Sequence, residues 1–176
     1  LGWDPTDTHT TNFWEELADV SWSSGKSIST GTFTPKKYLW LQGWMTKTGT
    51  AGGSVYLRIG NGSVDTGSNY AHRYNINGGT DGTQTSNSNG IFLDQGSSAN
   101  CDRWFFNAFF INNAGNEKLG IINDVWSLAD GASTAPQRTE HTAKWSNTSD
   151  QINIFEILGM SISDFTGGQL KVWGSD

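Results

Sequence analysis

Residues 37–45, "KYLWLQGWM", decide the fold class that the sequence predicts. Successive side chains of an extended chain point to opposite faces, and most of this stretch alternates in that way. One face receives two leucines and a methionine, while the other receives three aromatic side chains: Tyr38, Trp40 and Trp44. Both faces are therefore apolar, and the second face needs a cover.

The same period of two recurs along the chain, with glycine, asparagine and serine between the segments. The predicted strands are 14–21, 27–32, 37–47, 54–59, 70–75, 90–93, 102–112, 117–127, 138–146, 151–158 and 169–173. At most one short helix is predicted, at 161–165, where a serine could cap it. About ten strands must close into packed layers, so we expect an all-β, jelly-roll-like antiparallel β-sandwich.

The composition of the segments between the strands predicts where the loops lie. The best hairpin is "FFINNAGNEKLGII", in which two strands flank a short "NNAGN" loop. The low-complexity stretch 78–90, "GGTDGTQTSNSNG", predicts an exposed loop or a mobile edge. We expect a polar N-terminal arm at 1–12 and one β-sandwich domain at 13–176.

Charge and cysteine content exclude several classes of function. The net charge is −6, without any run of lysine and arginine, which argues against nucleic-acid binding. No stretch of about 18 apolar residues is present that would span a membrane. Cys101 is the only cysteine, so neither an intrachain disulfide nor a thiolate metal site is available, and we expect it to be a small buried hydrophobe.

Catalytic signatures are absent from the sequence. The three histidines, His9, His72 and His141, have no partner at metal or triad spacing, and we expect the last two on a solvated strand face. Five glutamates lie on or beside strands and could form a glycosidase pair: Glu15, Glu16, Glu117, Glu140 and Glu156. Because the acids fall mostly at strand ends, we expect no enzymatic activity.

Asp65 and Asp81 are the two candidate metal ligands. Both lie in glycine-rich loops that expose carbonyl groups, which suits a structural Ca²⁺. No EF-hand pattern surrounds them, and an aspartate before glycine or threonine is also ordinary turn chemistry, which we favour. No other cofactor is expected.

Aromatic content is the strongest signal in the composition, with 9 Trp and 9 Phe. Exposed aromatic rings in a row could stack on sugar rings, and the candidates for such glycan stacking are Tyr38, Trp40, Trp44, Tyr70 and Trp126. The same side chains could instead line the core or a seam between subunits.

A second doubly apolar strand, "DRWFFNAFFINN" at 102–113, favours the seam. Antiparallel sheets normally leave one face polar, so two such strands exceed what one sandwich buries. The extra apolar surface needs another layer, and a homo-oligomer, a trimer or larger, is the predicted cover. We assign the assembly face to Trp104, Phe106 and Phe110.

Four stretches carry a resemblance to a known family: "TGSNYAHRYNINGG" at 66–79, "INNAGNEKLGI" at 111–121, "APQRTEHTAKWSNTSDQINIFEI" at 135–157 and "GGQLKVWGSD" at 167–176. In texture and order they resemble small β-rich structural proteins of tailed phages and environmental viruses. The most specific parts are "KWSNTSDQI" at 144–152 and the terminal strand.

This resemblance implies a virion role in the capsid, in head decoration or in the tail, an extracellular location, and other virion proteins as partners. It transfers no catalytic or cofactor residue. A carbohydrate-binding module or lectin-like receptor-binding domain is the alternative, and the exposure of Trp40 and Trp44 separates the two.

Overall fold

The computed structural model describes residues 13–47, 53–94, 103–127, 131–160 and 164–176. Within these ranges the chain forms thirteen β-strands and no helix. None of the described residues belongs to a helix that could cross a membrane. The predicted N-terminal arm lies outside the described residues.

Eight antiparallel strands form the larger sheet. In spatial order they are β1 (Glu15–Trp22), β13 (Phe165–Ser175), β3 (Tyr38–Lys47), β9 (Arg103–Ile111), β10 (Lys118–Ser127), β11 (Gln137–Trp145), β6 (Tyr70–Ile76) and β7 (Gly82–Asn87). The β9–β10 hairpin matches the one expected from the sequence, with Gly115 at a φ of 84° in its loop.

The smaller sheet has five strands. Its order is β2 (Ser27–Ser29), β12 (Ile154–Met160), β4 (Ser54–Asn61) and β5 (Ser63–Val64), and β8 (Ile91–Asp94) also pairs with β4. The predicted fold class, an all-β antiparallel sandwich, is confirmed.

The core lies between the two sheets. The larger sheet contributes the inward side of the opening stretch, with Leu39, Leu41 and Met45 almost fully buried. The facing layer comes mainly from β4 and β12, whose Leu57, Ile59, Phe155 and Ile157 are completely buried. Burial of this kind is the main favourable contribution to folding.

Two glycines let aromatic rings lie flat on the inner side of the larger sheet. A Cβ at Gly43 would lie 2.2 Å from the ring of Phe106, its cross-strand neighbour, and a Cβ at Gly120 would lie 2.3 Å from the ring of Phe110. A glycine under a cross-strand aromatic ring is a known device for packing and register. The glycine in the opening stretch is therefore a packing requirement.

The outward sides of the two sheets differ in character. The smaller sheet is polar outside, where Arg58 pairs with Glu156 at 3.4 Å. The larger sheet leaves apolar side chains exposed, including Leu119 at 56% and Ile121 at 58%. Neither sheet nor any other described element covers them.

Two details differ from the sequence prediction. The stretch 78–90 contains β7, an exposed edge strand, because backbone pairing with β6 does not need apolar side chains. Of the predicted helix at 161–165, positions 161–163 lie outside the described residues, and Phe165 begins β13.

Candidate functional site

The outward side of β13, β3, β9, β10 and β11, hereafter the outer face, is the candidate site. Strand register arranges its side chains in rows that run across the strands. Three rows are mainly apolar: Tyr38–Ile111–Leu119, Trp173–Trp40–Phe109–Ile121 and Trp44–Phe105–Val125. The first two of these rows adjoin, and an exposed apolar surface of this kind on a water-exposed sheet marks an interaction site.

The second of these rows, hereafter the aromatic row, packs ring against ring. The Trp40 ring lies 5.8 Å from Phe109 at an interplanar angle of 10° and 4.8 Å from Trp173 at 32°. Since β9 and β13 flank β3 on opposite sides, the two neighbours cover the two faces of the Trp40 ring. Trp14 meets the same ring edge-on at 6.0 Å.

A polar row, hereafter the amide ladder, lies between the aromatic row and the Trp44 row. Register places Lys171, Gln42, Asn107, Asn123 and Glu140 side by side on five neighbouring strands. The Trp40 Nε1–H donates to Asn107 Oδ1 at 2.5 Å. The side-chain amides of Gln42 and Asn123 have no protein partner within the described ranges.

Grooves border the outer face at several places, and two of them show how its character changes across the strands. One has a volume of about 680 Å³, and its lining includes Phe13, Trp14, Tyr38, Phe109, Leu119 and Ile121. A smaller one of about 340 Å³ is polar and is lined by Arg73, Asn75, Asn123 and Glu140 among others. The site thus changes from apolar at β3 to polar at β6.

The five proposed stacking residues separate into two groups. Tyr38 and Trp44 lie on the outer face, 39% and 47% exposed, with Trp40 partly buried between them. Tyr70 and Trp126 are buried in the core, so the prediction that they are stacking platforms is wrong. The Tyr70 hydroxyl is held inside by the backbone of Ile59, whose N–H donates to it at 3.1 Å.

The three residues predicted to form the assembly face lie on the opposite side of β9 from the outer face. Trp104, Phe106 and Phe110 point into the core and are at most 5% exposed. Their neighbours Phe105, Phe109 and Ile111 point outward. Side chains alternate between the two sides of a strand. When both sides are equally apolar, the sequence of that strand alone does not show which side faces the core.

Polar side chains are also buried between the sheets, contrary to the expectation of solvated histidines. His141 and Asp124 are buried and joined at 2.9 Å, and His72 lies nearby against the ring of Phe92. Neither ring nitrogen of His72 has a hydrogen-bond partner among the described residues. Burial, with a smaller effect of His141, lowers the pKa of His72 to about 4.

Burial acts on Asp124 in the opposite sense. It raises the pKa of the carboxyl group, and the hydrogen bond with His141 opposes that shift only in part. Such a pair could move a proton, but both side chains are completely shielded from water. We therefore do not include the His141–Asp124 pair in the candidate site.

Asp65 is a structural hub. Its carboxylate accepts from Trp145 Nε1 at 2.7 Å, from Gly67 N at 2.7 Å and from Asn69 Nδ2 at 2.8 Å. Burial opposes ionisation, yet these three donors outweigh it and hold the pKa of Asp65 below its usual range. N–H donors surround both oxygens, which is the opposite of what a cation needs.

The other acidic candidates balance charge. Asp81 is 3.5 Å from Arg73, and the glutamates pair likewise: Glu15 with Lys36, Glu16 with Lys171, Glu117 with Lys144, Glu140 with Arg138 and Glu156 with Arg58. No group of three or more metal-ligating side chains occurs in the described part of the chain.

Sequence reasoning missed the contribution of β10. Leu119, Ile121 and Val125 alternate with buried residues and form the aliphatic half of the outer face. The signal was present in "KLGIINDVWS", where Leu119, Ile121 and Val125 recur with a period of two on one side, while Lys118 and Asp124 lie on the other side.

Comparisons with protein-family models and with curated proteins find no match for the chain.

Proposed function

We propose that this protein is a virion structural protein of the capsid, head-decoration or tail-associated kind, located in the virion, which assembles with copies of itself through the outer face. It has no enzymatic activity in this proposal. The observation that carries it is the set of exposed apolar side chains on the three neighbouring strands β3, β9 and β10, which includes Trp44 at 47% exposed and Ile121 at 58% exposed. The resemblance at 66–79, 111–121, 135–157 and 167–176 supplies the virion context.

Ring geometry supports protein packing over sugar stacking at the centre of the face. A sugar stacks on the free face of an aromatic ring, whereas both faces of the Trp40 ring are taken by Phe109 and Trp173. The aromatic row therefore offers ring edges and corners to a partner. Such a surface packs well against aliphatic and aromatic side chains of another protein.

Energetics also support assembly. Burial of apolar surface contributes about 25 cal/mol per Å², and the loss of freedom on association costs roughly 4–15 kcal/mol. Several hundred Å² of apolar surface per copy are needed before a pair becomes stable. The three apolar rows of the outer face provide apolar surface of that order.

Sedimentation velocity tests the proposal. The wild-type protein at micromolar concentration should sediment as an oligomer, and Ile121→Lys should shift it to the monomer, because a lysine there would be buried without a partner. Thr85→Lys adds the same charge at an exposed position of the edge strand β7 and should leave the oligomer intact. A wild-type protein that stays monomeric throughout this concentration range would contradict the proposal.

A lectin-like, carbohydrate-binding domain is the second candidate, and Trp44 is the observation that favours it. Its ring has no ring partner among the described residues, and it borders a groove of about 410 Å³ with Arg103 and Phe105. Glycan binding that disappears in Trp44→Ala while the oligomer persists would support this candidate.

A further inference from the structure

We infer that two copies pair outer face against outer face about a two-fold axis that runs along β9. This inference deepens the proposed function and rests on it. It commits the outer face to one occupant, a second copy of this chain. It also gives the assembly a defined register, which the proposed function does not.

The position of β9 in the sheet makes it the natural axis. On the outer face it has β3 and β13 on one side and β10 and β11 on the other. A half-turn about an axis along β9 exchanges these two sides and leaves each row opposite itself. Asn107 and Phe109 then face their own copies, and β3 faces the copy's β10.

Side-chain size fits this exchange. The outward apolar residues of β3 are all aromatic: Tyr38, Trp40 and Trp44. Those of β10 at the same register are all aliphatic: Leu119, Ile121 and Val125. One copy therefore has larger side chains on the β3 side and smaller ones on the β10 side, and the half-turn sets the large side chains of β3 against the small ones of the copy's β10. On the axis itself, Phe105 and Phe109 each meet their own copy.

The amide ladder fits it as well. The half-turn brings Gln42 opposite the copy's Asn123 and Asn107 opposite its own copy. An amide offers both donors and an acceptor, so two amides can satisfy each other across an interface. Gln42 and Asn123 lack protein partners among the described residues, which leaves their amides available.

Charges at the ends of the rows are complementary under the same operation. Extending the aromatic row by register places Glu16 at its β1 end and Arg73 at its β6 end. The amide ladder, extended in the same way, has Asp19 and Lys171 at its β1 end and Glu140 and Asn75 at its β6 end, and Lys171 also contacts Asp19 of its own chain at 2.7 Å. The half-turn sets Glu16 against the copy's Arg73 and Lys171 against the copy's Glu140, which favours this register.

The competing arrangement has its two-fold axis along the amide ladder, at right angles to β9. It would place Lys171 against the copy's Lys171 and Glu140 against the copy's Glu140, and like charges at an interface are unfavourable. It would also set Trp40 against the copy's Trp44, so that two large side chains meet. The axis along β9 is therefore the one that the side chains favour.

The area suffices for a stable pair. With strands about 4.8 Å apart and same-face residues about 6.8 Å apart, five strands and four rows cover about 650 Å² per copy. Stable protein pairs bury about 800 Å² per partner, with a broad range. The sequence before Phe13, "LGWDPTDTHTTN", has few apolar side chains to offer to this face.

Single-cysteine cross-linking in a Cys101→Ser background tests the inference. Packed sheets lie about 10 Å apart, which a short bis-maleimide spans. Asn107→Cys, on the axis, should cross-link to the same residue of the second copy. Phe105→Cys, also on the axis, should do the same, and it keeps the Trp40–Asn107 hydrogen bond that the first variant loses. Gln42→Cys should cross-link poorly alone but efficiently when mixed with Asn123→Cys.

The yields should exceed that of a Ser63→Cys control, on the smaller sheet, by about tenfold, because pairing raises the effective thiol concentration. Self-cross-linking of Gln42→Cys as strong as that of Asn107→Cys would overturn the axis in favour of the one along the rows. An oligomer in which none of the variants exceeds the control would overturn the pairing while leaving self-assembly intact. A monomeric protein overturns both.

Discussion

Buried polar residues show how differently the same interior treats its polar groups. Asn112 is fully buried and fully used: its Nδ2 donates to the carbonyls of Lys36 and Ile152, and its Oδ1 accepts from Ile152 N at 2.6 Å. His72 is nearly as buried, yet both of its nitrogens lack a partner among the described residues. Asn112 links the segments that contain Lys36 and Ile152 and satisfies its own amide, whereas the unpaired nitrogens of His72 lower the stability of the fold.

That cost makes stability depend on pH. The pKa of His72 is about 4 in the folded protein against 6.5 when exposed, so the unfolded chain binds a proton first as the pH falls. Each pH unit between these values removes up to about 1.4 kcal/mol of unfolding free energy, or about 3 kcal/mol in all. The raised pKa of Asp124 acts oppositely, since the folded protein gains from protonating it.

His72→Phe should therefore flatten the acid limb of the stability curve. Phenylalanine keeps the ring contact with Phe92, removes the two unpartnered nitrogens and cannot be protonated. Urea unfolding at pH 7 and pH 4.5 should show a smaller loss for the variant than for the wild type, by about 2 kcal/mol. An unchanged pH dependence would mean that His72 is hydrated in the folded protein.

One of the connections between the two sheets, from β11 to β12, is held in place by polar side chains. Trp145, the last residue of β11, donates to Asp65, and in the connection that follows the Asn147 side chain accepts from the N–H groups of Ser149 and Asp150. Lys118 Nζ reaches the Asn147 carbonyl at 2.9 Å, and burial lowers its pKa. The stretch "KWSNTSDQI", which is the most specific part of the resemblance, therefore anchors a crossover.

Asp65→Ala should destabilise the protein by about 2–4 kcal/mol. It removes three hydrogen bonds and leaves Trp145 Nε1 without its acceptor beside the core. Asp81→Ala is the matched control, because Asp81 is half-exposed and its contact with Arg73 is a surface ion pair, for which less than about 1 kcal/mol is expected. Equal losses in urea unfolding for the two variants would contradict the hub role.

On the scale of the whole molecule, the larger sheet divides its apolar side chains between folding and association. Ile121 and Ile122 are adjacent on β10, but the first is 58% exposed on the outer face and the second is fully buried. The core needs one side of the strand, and the proposed interface needs the other. Two neighbouring isoleucines should therefore affect two different equilibria.

Alanine substitutions measure this division. Ile122→Ala should lower the unfolding free energy by about 3 kcal/mol through a core cavity, with little change in the association of folded copies. Ile121→Ala should cost less than about 1 kcal/mol in folding but weaken association about tenfold or more. Urea unfolding of the monomer and sedimentation equilibrium separate the two effects, and an exchange of the two patterns would reverse the assignment of the faces.

The sequence predicts much of the fold because local patterns carry it. Period-two segments and glycine or asparagine turns located eleven of the thirteen strands, including the β9–β10 hairpin. It missed β5, which has two residues, and β7, whose polar side chains give no hydrophobic period. Both are held by backbone hydrogen bonds to a neighbouring strand, which any side chains allow.

The sequence by itself determined that β3 and β9 are apolar on both sides, and therefore that this chain has more apolar strand surface than one sandwich core uses. Only the tertiary structure decided which side is which. Gly43 and Gly120 leave room for the rings of Phe106 and Phe110 beneath them, and this close approach fixes the inward side. Trp104, Phe106 and Phe110 then belong to the core, while Tyr38, Trp40 and Trp44 face outward, because the register across strands is a property of the folded sheet.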